Sequence, residues 1–374
     1  MRTPLCDRLG IEFPIFAFSH CRDVVAAVSR AGGLGVLGAV AMSPEHLDME
    51  LTWIEDQVGG RPYGVDVIVP AEYVGIEDGG MSAGQLRELI PAEHRQFVVD
   101  LLERYEVPPL PADDPAPSGL LSWSHKAAAS LMDVAFEHGI ALIANALGPA
   151  PAEMVERAHE KDVVVAGLVG NRIHAERQQA AGVDLIVAQG YEAGGHTGQI
   201  ATMVLVPEVV DAVAPTPVLA AGGIASGRQV AAALALGAEG VWCGSVWLTT
   251  DEAETHPVVK EKLLRAGSSD TVRSRASTGK PARQLRTAWT DEWDRSDSPE
   301  PLPMPLHGML VAEAQTRIAR AAGRPGSGAE QLATYFVGQA VGMMNEVKPA
   351  TQVVYEMVEE YIDAAGRLAA TLGE

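Results

Sequence analysis

His196 is the only imidazole in a run rich in glycine, Gln189-Gly190-Tyr191-Glu192-Ala193-Gly194-Gly195-His196-Thr197-Gly198, which follows the apolar stretch Val183 to Ala188. A neutral imidazole, with an ordinary pKa of about 6.5, can take a proton from carbon or return one to an enolate near neutral pH. Glycines beside it remove Cβ atoms, so the backbone can approach a flat or anionic ligand. A second segment has the same character. Pro217 to Ala221 leads into Gly222-Gly223-Ile224-Ala225-Ser226-Gly227-Arg228, then an alanine-rich stretch to Leu236, then Gly237 to Cys243 and Gly244-Ser245. Bare amides at two neighbouring turns, together with a helix N-terminus, suit a phosphate. Either motif alone could be a tight turn that binds nothing; the pair points to a site.

Such turns need a scaffold, and the apolar runs supply one. Eight of them, Pro14 to Phe18, Gly33 to Ala39, Pro62 to Val69, Gly139 to Ala144, Asp162 to Leu168, Val183 to Gln189, Thr216 to Ala221 and Glu239 to Gly244, alternate with amphipathic or alanine-rich stretches. Near-continuous apolar strands suit a parallel sheet covered by helices. The motif residues fall at the C-terminal strand ends, where (β/α)8 barrels keep their chemistry. The sequence therefore predicts an α/β fold, a (β/α)8 TIM barrel formed by residues 1–70 and 125–266, with an inserted segment and a smaller C-terminal lobe. The insertion, 71–124, is too long for an ordinary βα loop and reads as a lid or small cap; it holds Val107-Pro108-Pro109-Leu110-Pro111 and the acidic Asp113-Asp114-Pro115. Residues 267–374 read as a substrate-side lobe. They carry a basic run (Arg273, Arg275, Lys280, Arg283, Arg286), a proline-rich stretch and a final helix, Thr351 to Leu372. That helix places Val354, Met357, Val358, Tyr361, Ile362, Ala365 and Leu368 on one face, for docking on the barrel or on another subunit of a homodimer.

Composition excludes several classes. A formal net charge of −21 over 374 residues repels nucleic acid and anionic membranes. No apolar run is long enough to span a bilayer. The ten histidines show no HxxxH or HExxH spacing and the three cysteines no CxxC pair, so no metal site is expected. An odd cysteine count without a secretory leader suits a reducing cytoplasm.

The glycine-flanked His196 loop, the Gly222-Gly223 turn, the Gly244-Ser245 end and Ala31-Gly32-Gly33-Leu34-Gly35-Val36-Leu37-Gly38 together resemble the nitronate monooxygenase family, formerly the 2-nitropropane dioxygenases, from Leu5 to about Arg286. The same motifs, with Thr278-Gly279-Lys280-Pro281-Ala282-Arg283 and His256-Pro257, are similar to the FMN-dependent enoyl-acyl carrier protein reductases of the FabK type. The phosphate turns also resemble those of IMP dehydrogenase, whose cysteine nucleophile loop has no counterpart here. The resemblance implies a barrel holding FMN, with Gln189 and Gly194, next to Gly195, lining the flavin. It implies that Gly222, Gly223, Gly244 and Ser245 hold its phosphate and that His196 is the catalytic base or acid.

The chain departs from the family pattern after the first strand, where Phe16-Ala17-Phe18-Ser19-His20-Cys21 replaces Ala-Pro-Met and small residues. This makes Phe18 a flavin neighbour and His20 a second candidate for proton transfer, with Cys21 beside it; packed or capped side chains would read the same way. Asp66 stands where the family commonly has Asn, which puts a carboxylate near the flavin unless it is solvated or paired with arginine. Asn145 reads as a ligand contact or a turn residue. Three functions follow: an FMN monooxygenase or oxidase of nitronate-like carbanions using O2; an FMN reductase of an α,β-unsaturated thioester or ketone with NAD(P)H as electron source; or a non-catalytic flavin-binding protein. The basic run favours the second if it meets the phosphates of acyl-CoA or NADPH, and is otherwise an exposed charged face.

Overall fold

The computed structural model describes residues 1–40, 42–69, 82–111 and 125–373. Eight parallel strands close a barrel: β1 (Ile15–Ser19), β2 (Leu34–Gly38), β3 (Tyr63–Asp66), β4 (Leu142–Asn145), β5 (Val164–Val169), β6 (Leu185–Gln189), β8 (Val218–Ala221) and β9 (Gly240–Cys243), which pairs back to β1. A two-residue strand, β7 (Gly195–His196), lies outside the barrel. Each barrel strand falls in the apolar run that predicted it, to within one residue at its C-terminal end. Alternation of side chains explains the two cores. Phe16, Leu34, Val36, Leu142, Val164, Leu185, Leu219 and Trp242 meet in one buried cluster, while the intervening Ile15, Leu37, Val65, Ile143, Val165 and Ile186 pack with the helices.

The described part of the insertion shares a core with the C-terminal segment. Its helix Ala92–Arg104 buries Val98, Leu101 and Leu102 with Val311, Ala314 and Ile318 of helix Leu306–Ala321 and with Trp289 and Trp293. Arg317 fixes the proline run by donating to the carbonyls of Val107 (2.8 Å) and Pro108 (3.0 Å). The acidic Asp113-Asp114-Pro115 lies outside the described residues. Helix His125–Glu137 then returns to the barrel and packs on Pro44–Val58.

Beyond the barrel, β10 (Thr271–Ser274) and β11 (Ala282–Leu285) form an antiparallel ribbon, and β7 joins its free edge with Ala282 opposite His196 and Arg283 opposite Gly195. The last helix, Ala350–Ala370, docks on the barrel helices Gly227–Ala235 and Arg22–Arg30. Contact is so close at Gly227 that a Cβ there would collide with the Met357 carbonyl. Val354, Met357 and Ala364 are buried while Ile362 and Leu368 stay exposed, so the docked face is narrower than the sequence pattern predicts. Among the described residues no helix is long and apolar enough to cross a membrane.

Candidate active site

A cavity of about 670 Å³ lies between the C-terminal strand ends and the second lobe. The structure brings eleven of the residues singled out from the sequence to its lining: Phe18, His20, Asp66, Gln189, Gly194, Gly195, His196, Gly222, Gly223, Gly244 and Ser245. Apart from His256, the opposite wall carries none of the motifs singled out from the sequence. It is formed by Gln315, Ile318 and Ala319 of helix Leu306–Ala321, by Thr334-Tyr335-Phe336, and by Leu248, His256 and Val259. The adjacent aromatics Tyr335-Phe336, in a chain only 5% aromatic, are the one signal for this wall that the sequence offers. Among the described residues no lysine or arginine lines the cavity, and the acidic lining groups are Asp66 and Glu254.

Gly222 and Gly223, at the end of β8, have φ of +102° and +73°, a region that side chains rarely adopt. Gln229 closes the turn by accepting from the Ala225 amide (2.8 Å) and the Ser226 hydroxyl (3.1 Å) and donating to the Gly223 carbonyl. The amides of Gly222 and Gly223 have no backbone acceptor among the described residues. The helix end that follows is not free, contrary to the sequence expectation, because the Gly227 amide donates to Glu360 Oε2 at 2.8 Å. The last helix thus supplies its own carboxylate to that N-terminus, and an anion would have to be met by the turn amides instead. At the neighbouring turn Ser245 Oγ accepts from the Gly338 amide (2.8 Å), tying the barrel end to the lobe.

His196 Nδ1 lies 3.3 Å from the Pro281 carbonyl. A carbonyl only accepts, so Nδ1 carries the proton and Nε2 is left with its lone pair. Burial lowers the pKa of the ring, the Pro281 hydrogen bond opposes this, and nearby Lys280 pushes in the same direction as burial. The loop is gripped at both ends. Arg283 Nε donates to the Tyr191 carbonyl (3.1 Å) and Arg273 Nη2 to the Thr197 carbonyl (3.0 Å). Both guanidinium groups stack on the Tyr191 ring, 4.5 and 5.1 Å from its centroid. The basic run is therefore neither a phosphate cluster in the cavity nor a plain solvated face. Arg283 is buried, Arg275 holds Gly279, Glu300 and Pro301, and Arg286 pairs with Asp291; of the run only Lys280 and Arg286 are exposed.

His20 repeats the tautomer of His196, with Nδ1 2.9 Å from the Gly38 carbonyl and its ring edge-on to Phe18 at 5.1 Å. Burial among protein atoms lowers its pKa too. The β1–β2 register explains the glycine opposite, since a Cβ on Gly38 would lie 2.6 Å from His20 Nδ1. Asp66 is neither solvated nor arginine-paired, which corrects both bland readings from the sequence. It is 3% exposed, its Oδ1 has no hydrogen-bond partner, and burial pushes its pKa up to about 7. Cys21 also lines the cavity, its thiol donating to the Glu252 carbonyl at 3.0 Å. Asn145 is a turn residue outside the lining: it accepts from the Val69 amide (2.9 Å) and donates to the Gly148 carbonyl (3.1 Å).

The family model described as nitronate monooxygenase matches residues 2–360. The chain belongs to the nitronate monooxygenase family. It is 67% identical over 369 residues to a Mycobacterium tuberculosis protein provisionally named as a monooxygenase, covering 98% of each chain. Among solved structures it resembles nitroalkane oxidase from Streptomyces ansochromogenes, with a TM-score of 0.79 at 26% identity over 97% of this chain and 99% of that one. It also resembles FabK from Thermotoga maritima, with a TM-score of 0.73 at 29% identity over 99% of both chains. As a member of the nitronate monooxygenase family the protein is an oxidoreductase, and its cavity is the place where that chemistry has to be sought.

Proposed function

We propose that this chain is an FMN-dependent oxidoreductase that takes up a nitroalkane, removes the proton next to the nitro group to give the nitronate carbanion, and has O2 as final electron acceptor. The observation that carries the reading is the His196 tautomer: the Pro281 carbonyl fixes the proton on Nδ1 and leaves Nε2 basic within the same cavity as the glycine turns. The cofactor assignment rests on fit. The amides of Gly222 and Gly223, with Gly244 and Ser245, would hold the phosphate, and the unpartnered Asp66 carboxyl, Gln189, Gly194, Gly195 and Phe18 would line the ring. Bound FMN supplies the two-electron acceptor that no side chain can provide.

The lining also bears on the charge of the substrate. An anion entering a cavity with no lysine or arginine among its described lining residues gains little, whereas a neutral nitro compound enters freely and becomes charged only when His196 Nε2 takes its proton. The imidazolium so formed keeps its Nδ1 hydrogen bond to Pro281, and its lowered pKa helps it release the proton afterwards. His20, with the same tautomer across the cavity, is the second candidate for proton transfer. Heat release of the cofactor and its identification by mass test the first half of the reading, where FAD or no flavin overturns it. Oxygen uptake with nitrite formation from 1-nitropropane tests the second half.

The likeness to FabK supports a second reading, NAD(P)H-dependent reduction of an α,β-unsaturated thioester or ketone, with His196 returning a proton to the enolate. Acyl-CoA phosphates would find no cation among the described lining residues. Anaerobic bleaching of the flavin by NADPH would favour this reading over the first.

A further inference from the structure

Among the described residues Asp66 is the only carboxyl with a buried oxygen that bonds nothing. It ends β3 opposite Gly38 of β2 and Ala144 of β4, so the strand on either side offers it no polar side chain. The space beside Gly38 is taken by the His20 ring, whose Nδ1 is bound to the Gly38 carbonyl. The other titratable groups of the cavity are Cys21, His196, Cys243, Glu254, His256 and Tyr335; burial, and no charge among these, raises the Asp66 pKa to about 7. With no lysine or arginine among the described lining residues, an ionised Asp66 is an uncompensated negative charge in the cavity.

We infer that Asp66 sets the reduction potential of the bound flavin, and does so through its own ionisation. The inference rests on the proposed FMN site, in which this carboxyl lines the ring. Two electrons entering the ring bring negative charge, which a neutral carboxyl meets as a hydrogen-bond donor and an ionised one repels. Reduction therefore draws a proton from solvent onto Asp66 wherever the group is ionised beside the oxidised ring. The balance is two electrons and one proton to the ring, and one further proton to the carboxyl. An ionised Asp66 makes reduction harder and the return of electrons to O2 more favourable, a property that a neutral residue at this strand end lacks.

Equilibrium reduction of the FMN-loaded protein against reference dyes, followed by flavin absorbance from about pH 6 to 9, tests this without any substrate. Each proton taken up with two electrons shifts the equilibrium tenfold per pH unit, which is about 30 mV. Above about pH 7 the wild-type potential should fall hundredfold per unit, about 60 mV, and that of Asp66→Asn tenfold, about 30 mV. The two should lie close at the acid end and at least tenfold apart at the alkaline end. Asp66→Ser, neutral and smaller, should match Asp66→Asn. His196→Asn and His20→Asn should keep the wild-type slope, which assigns the second proton to the carboxyl. Equal slopes in the wild type and both neutral variants, or loss of the steeper slope in either imidazole variant, overturn the inference and leave the FMN site standing. A wild type that takes up no FMN overturns both.

Discussion

The barrel half of the cavity and its lobe half are built by different means. Asp66 ends a strand locked in register on both sides, opposite Gly38 and Ala144, and Gln189 ends a barrel strand in register with Ala221. His196 sits on a two-residue strand outside that ladder, held by the ribbon edge, the Pro281 carbonyl and two arginines. The groups proposed to hold a cofactor thus share the rigidity of the barrel, while the proposed base depends on segments from beyond it. The same scaffold can then serve different chemistry when only the ribbon and lobe change, which accords with solved neighbours as different as nitroalkane oxidase and FabK.

Breaking the barrel half should have the larger effect. Gly223→Val must force a branched residue to φ of +73° with its Cβ 3.2 Å from that of Glu192, a strain of about 1 to 3 kcal/mol concentrated in the proposed phosphate turn. Flavin occupancy, read from the ratio of visible to ultraviolet absorbance, should fall close to zero while the circular dichroism of the barrel persists. Undiminished occupancy would mean that the glycines serve the turn alone.

Loosening the lobe half should cost rate and spare the cofactor. Arg283→Gln removes the donor to Tyr191 and one of the two stacked cations, and is expected to lower kcat by roughly 10- to 100-fold with flavin retained, the scale of a misplaced catalytic group. Arg283→Lys should restore little, because an ammonium cannot reproduce the guanidinium fork that also reaches Thr271. Equal kcat in all three proteins would show that strand pairing alone positions His196.

The smallest effect tests the buried carboxyl. Asp66 has its ordinary pKa of 3.8 when unfolded and about 7 when folded, so the folded state binds the extra proton between those values. Stability of the flavin-free protein should therefore decline as pH rises from about 4 to about 7 and be insensitive to this group above that. Asp66→Asn removes the decline, so its melting temperature should exceed that of the parent by a few degrees at pH 8 and by less at pH 5. A pH-independent difference would mean that Asp66 finds a partner in solution.

The two halves also differ in how far they can be read from the sequence. Barrel strands such as Val183 to Gln189 announce themselves because both faces are buried and the run is apolar throughout, and the glycine turns stand out because positive φ demands that residue. The basic run misleads, since composition cannot distinguish an arginine that meets a ligand from one that grips the Tyr191 carbonyl. The ribbon is short and alternates little, the strand bearing His196 is only two residues long, and the lobe wall assembles residues from 248 to 340 that no local pattern connects. Co-packing of helix Ala92–Arg104 with Leu306–Ala321 is likewise a long-range event.

The central claim is that His196 moves the substrate proton within a flavin cavity. His196→Asn, with flavin occupancy and kcat measured on the same preparation across pH 5 to 8, tests it most directly. The account predicts unchanged FMN content and kcat lowered by roughly 10²- to 10⁴-fold at pH 7. It also predicts that the wild-type rate, rising with pH as the imidazole loses its proton, has its inflection below the ordinary histidine value of about 6.5, and that the variant lacks this inflection. Wild-type turnover in the variant, with the inflection intact, would contradict the account and move the proton-transfer role to His20.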